Sequence, residues 1–170
     1  MMEELVGVSL QDGGLEGLAF LTALAASESN VRCLCSNRDL LDSLVTSLTL
    51  EDGPNLPTRA SASILLRSMS AFSIGRRTIA QNDHLLDTLF SSLIVLDQLA
   101  KNDHVLIRAN IVDSLGEVIK DHVGNDVLAN RGIDSVLANL LDNTPEAEML
   151  IEACHAVTHL RRWRLGKGVS

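Results

Sequence analysis

At 170 residues the chain is about one domain long, and 46% apolar against 21% charged residues excludes the hydrophobe-poor composition of disordered segments. The net charge is -8, but residues 161–170 hold Arg161, Arg162, Arg164 and Lys167 without an acid, so the remainder stands at -12. An acidic body repels phosphate backbones, which argues against DNA or RNA as the main partner.

Residues 1–14, MMEELVGVSLQDGG, form a leader that is acidic where a secretory signal is basic, and no apolar run precedes a cleavage site. Leu dominates the apolar residues and aromatics make up only 2%, a bias that favours helices over strands and predicts an all-α fold. The first predicted helix is LEGLAFLTALAA (15–26). Next comes RCLCSNRDLLDSLVTSL (32–48), and 45 residues further on RTIAQNDHLLDTLFSSL (77–93) repeats it. Arg32/Arg77, Asn37/Asn82, Leu40/Leu85, Leu41/Leu86, Asp42/Asp87, Leu44/Leu89, Ser47/Ser92 and Leu48/Leu93 are identical pairs. After the Asn, apolar residues at i, i+4 and i+8 mark one helix with a wide buried face, and Asp39 or Asp83 near its start is placed to cap it.

The break LEDGPNLP (50–57) leads to a predicted helix at 59–72, and AKND (100–103) leads to another at 106–121. A third copy, NDVLANRGIDSVLANLL (125–141), sets Asn130, Ile133, Leu137 and Leu141 opposite Asn82, Leu85, Leu89 and Leu93 after a shift of 48. DNTPEAE (142–148) ends it, and a fourth upstream-type helix follows at 148–162. Four such helices thus alternate with three that are led by Asn. Recurring side chains imply recurring neighbours, which is what stacked helical units of about 40–47 residues produce.

The spacing of Ala, Leu, the polar turn and VLANRGIDSVLANLL (127–141), with Gly132 between two helices, resembles the armadillo repeat. Asp39 and His84 stand at that glycine position in the first two copies, as a HEAT-like or divergent unit would have it. The resemblance implies a right-handed α-solenoid of about three and a half repeats, at 15–50, 57–98, 104–142 and a partial 146–160, followed by a basic tail at 161–170. It further implies a groove lined by the upstream helices. The family's Trp and Asn groove positions fall on Ala19 and Ala23, Ile64 and Ser68, Asp113 and Glu117, and His155 and His159, so no Trp/Asn pair is carried over.

Asn110, Asp113 and Glu117 follow helical spacing and predict an acidic stripe for a basic partner segment, against the plain alternative of a solvated face. His155 and His159, with Glu152 nearby, share a second stretch of groove. Two His alone underfill a zinc site, and Ala156 follows the first His where a metalloprotease has Glu, so no metal or cofactor is expected. Cys33 and Cys35 cannot both face inward on one helix, and an odd cysteine count suits a reduced compartment. The expectation is a non-enzymatic protein-binding module in the cytoplasm, with the nucleus as alternative location. It would bind a peptide or domain and neither nucleic acid nor membrane, or else form a structural part or fragment of a larger assembly; a metal-binding helical protein centred on His155 and His159 is the least favoured alternative.

Overall fold

Asn37 sits at a bend between two helices and serves both. Its backbone N–H donates to Leu34 O at 3.1 Å, closing the helix before it, and its side-chain Oδ1 accepts from Leu40 N at 2.9 Å, opening the helix after it. Asn82 repeats the arrangement, with its N–H on Ile79 O at 3.2 Å and Oδ1 accepting from Leu85 N at 3.0 Å. The caps are therefore these asparagines and not Asp39 or Asp83, because the helix begins one residue after the Asn and puts each Asp inside the first turn.

The computed structural model describes residues 15–49, 56–99, 104–143 and 147–166; the leader and the end of the basic tail lie outside them. Among the described residues there are ten helices and no strand. They are α1 (Leu15–Leu24), α2 (Glu28–Ser36), α3 (Arg38–Leu48), α4 (Leu56–Ser70), α5 (Ser73–Gln81), α6 (Asp83–Leu99), α7 (Val105–Ile119), α8 (His122–Asn130), α9 (Ile133–Asn143) and α10 (Ala147–Gly166). Where the sequence predicts two helices per unit, the structure has three. The added members, α2, α5 and α8, are nine residues each.

Each helix packs against the helix three places further along the chain, giving three files: α1–α4–α7–α10, α2–α5–α8 and α3–α6–α9. The repeated leucines are the interior between them. Leu40, Leu44, Leu85, Leu89, Leu93, Ile133 and Leu137 are wholly buried and Leu48 nearly so; the side chain of Leu141 lies outside the described residues. The matched leucines of the first two copies lie on α3 and α6, which pack on each other.

The short helices press close on what precedes them. A Cβ at Gly75 of α5 would stand 1.9 Å from Met69 O, and one at Gly124 of α8 would stand 2.3 Å from Val118 O, so only glycine fits there. The third junction differs from the first two. Asn130 is exposed at the end of α8, and the chain turns into α9 through Gly132 at φ 76°, the left-handed region glycine favours. Asn130 thus does not reproduce the role of Asn37 and Asn82.

Candidate functional site

The file α1–α4–α7–α10 carries the residues singled out by sequence. One turn apart on successive members stand Ala19 and Ala23, both exposed, Ile64 and Ser68, exposed and half-buried, Asp113 and Glu117, half-buried, and His155 and His159, both exposed. Four of the six exposed large apolar side chains among the described residues, Leu15, Phe20, Ile64 and Leu106, also belong to helices of this file. The exposed side chains of this file are thus both apolar and polar.

Asp113 and Glu117 are not an open acidic stripe. Arg67, on the neighbouring α4, pairs with Asp113. Glu117 pairs with Lys120 and stands 3.9 Å from Arg76. Arg77 and Asp121 add a further pair at 3.6 Å. With side chains partly in water, each such pair contributes roughly 0–1 kcal/mol, but together they balance the local charge and remove most of the pull on a basic segment. The sequence reading missed Arg67 and Arg76. Their signal was there in the repeat itself: basic residues of one unit stand about one unit length before acids of the next.

Asn110 lies inside the protein, 2% exposed. Its Nδ2 donates to Ser63 Oγ at 3.0 Å, and the Ser63 hydroxyl passes on to Ala60 O at 2.7 Å. A side chain in this position ties α7 to α4 and does not extend the surface stripe. Glu152 belongs to α10, but its side chain lies outside the described residues. His155 and His159 sit on the exposed side of the same helix. Among the described residues, no three His, Cys, Asp or Glu side chains are grouped to hold a metal ion.

Of the cysteines, Cys33 and Cys154 are exposed while Cys35 packs against the core. Burial pushes the Cys35 thiol up from its ordinary value, and a hydrogen bond with Thr78 offsets part of that. Among the described residues, no helix is long and apolar enough to cross a membrane. No model of a known protein family matches the chain, and no curated protein matches it in sequence.

Proposed function

We propose that the chain is a right-handed α-solenoid of about three and a half armadillo-like repeats and works as a non-enzymatic protein-binding module, in the cytoplasm or alternatively the nucleus. The observation that carries this reading is the packing of each of α1 to α7 on the third helix beyond it, as stacked repeats with equivalent positions in line would pack. A three-helix unit of one nine-residue helix and two longer ones, repeated with Gly132 at the turn that the armadillo resemblance marks, supports the same reading. The face of the α1–α4–α7–α10 file would then be the groove. Its work is recognition: a preformed surface loses little conformational entropy when a partner peptide or domain is laid on it.

The test is photo-crosslinking. Crosslinkers placed singly at Ala23, Ile64 or His155 are expected to capture the same partner from an extract of the source cells, while crosslinkers at Thr46 and Ser91, exposed on other files, do not. Equal capture from both sets removes the groove assignment.

A second reading, a structural part of a larger assembly, is favoured by one observation. Leu15 and Phe20 on the first described helix are 48% and 42% exposed, an apolar pair at one end of its file. Light scattering separates the two. A monomer at all concentrations supports the reversible binder, and concentration-dependent growth that Phe20→Glu abolishes supports the assembly.

A further inference from the structure

Phe20 breaks a pattern that the later units keep. Leu21, Leu66 and Leu115 hold matching places in α1, α4 and α7 and are wholly buried. One residue before them, Leu65 and Ser114 are wholly buried too, whereas Phe20 is 42% exposed. Leu24 is likewise half-buried where Met69 and Val118 are wholly buried. α1 therefore lacks a cover that α4 and α7 have. Each later long helix packs against the helix just before it in the chain, α4 against α3, α7 against α6 and α10 against α9, while α1 follows no described helix.

The leader carries the sequence for such a cover. Leu5, Val8 and the run Leu10-Gln11-Asp12-Gly13 match Val45, Leu48 and Leu50-Glu51-Asp52-Gly53, 40 residues on, where α3 ends and the chain leads into α4. Met1 stands opposite Leu41 in the same register. Val45 and Leu48 are buried and Leu41 packs on the core, so Met1, Leu5 and Val8 spell the apolar stripe of a helix of the α3 kind, with Glu3, Glu4 and Gly7 on its other side. Glu4, opposite the buried Leu44, is the departure.

Charge points the same way. At the start of the third unit's last helix, Arg131 reaches back one unit to Asp83 and Asp87. Arg38 follows Asn37 as Arg131 follows Asn130, is exposed, and pairs with no acid among the described residues. The acids lying one unit back from it in the chain are Glu3 and Glu4.

We infer that residues 1–10 dock on α1 beside α3, as α3 docks on α4, with Leu5 and Val8 over Leu15 and Phe20, and so close this end of the stack. A segment tethered through Gln11–Gly14 acts at an effective concentration of roughly millimolar, far above what a separate molecule offers. A second copy stacked end to end would bring its α10, whose exposed Thr158, His155, His159 and Arg162 give Phe20 little apolar surface. The docking does not require the α1–α4–α7–α10 face to be a groove. It does take Leu15 and Phe20 away from the assembly reading, which needs that pair free for a neighbour.

The test replaces Phe20 by the photo-crosslinker benzoylphenylalanine in an equal mixture of unlabelled and isotope-labelled full chains. The expected main product joins position 20 to residues 1–10 of the same chain, in equal yield at low and high protein concentration. Leu5→Asp with Val8→Asp is expected to cut that yield about tenfold or more, whereas Gln11→Asp, which adds charge outside the apolar stripe, leaves it unchanged. In the chain with Phe20 intact, the same double substitution is expected to speed hydrogen exchange of α1 about tenfold while α7 to α10 keep their rates, which also shows that the variant is folded. Products of mixed isotope that grow with concentration place a second copy on Phe20 and overturn the inference. So does a yield or an α1 exchange rate that the double substitution does not move, or the absence of any product with residues 1–10.

Discussion

Asn37 and Asn82 show how one residue type is selected by a bend that leaves donors and acceptors open on both sides. Replacing either by Ala removes the side-chain acceptor, and the expected loss is about 1 kcal/mol each in chemical denaturation. Asp39→Ala, one position into the helix, is expected to stay within roughly 0.5 kcal/mol because no backbone donor depends on it. Gly75 is chosen by contact instead. With a Cβ driven against Met69 O, Gly75→Ala is expected to cost about 1–3 kcal/mol, and an unchanged denaturation midpoint would contradict the close approach. Cys35 gives a prediction in pH. Its thiol holds the proton more tightly in the folded chain, so its thiolate fraction at neutral pH is lower than after unfolding. Alkylation of Cys35 is expected to speed up on unfolding in urea, and its rate-versus-pH curve in the folded protein to lie to the alkaline side of the unfolded one.

Between elements, the files are stitched by buried polar contacts as well as by leucine. Ser92 Oγ donates to Leu48 O at 3.0 Å, joining α6 to α3, and Asn110 joins α7 to α4 through Ser63. Ser63→Ala strands the Asn110 amide in the interior, so a loss of about 1–3 kcal/mol is expected, and Asn110→Leu in that background should recover part of it. The long helices were legible in the sequence because a wide apolar face repeats over three turns or more. The short ones were not. ESNVRCLCS fully buries only Val31 and Leu34 and SIGRRTIAQ only Gly75, Ile79 and Ala80, too few for a 3.6-residue period to stand out. The breaks before them carry Ser27, Phe72 and Asp121 and no Pro or Gly to announce a stop. Candidate residues were legible as positions on helices but not as states. Spacing placed Asp113 and Glu117 together, yet what neutralises them, and what buries Asn110, comes from the preceding unit, which local spacing does not see.

At the scale of the whole molecule, the three files sort the ten helices into two kinds. α4, α5, α6 and α7 each have a file neighbour on both sides, whereas α1, α2, α3, α8, α9 and α10 have one on a single side among the described residues. Stability in such an arrangement is close to a sum of nearest-neighbour terms, so the end helices should open without the middle. Native-state hydrogen exchange is expected to show the slowest amides in α4–α7, with opening free energies falling toward both ends. Leu89 in α6 and Leu21 in α1 are equally buried, so truncating each to Ala removes the same side chain at a similar local cost of about 2–5 kcal/mol. Their reach should differ. Leu89→Ala is expected to lower protection in all three files, since α6 joins the units on either side of it, while Leu21→Ala should lower it in α1 and its contacts and leave α7 to α10 nearly untouched. A single opening free energy shared by all ten helices, moved equally by both substitutions, is the behaviour of one cooperative bundle and would rule out the nearest-neighbour account.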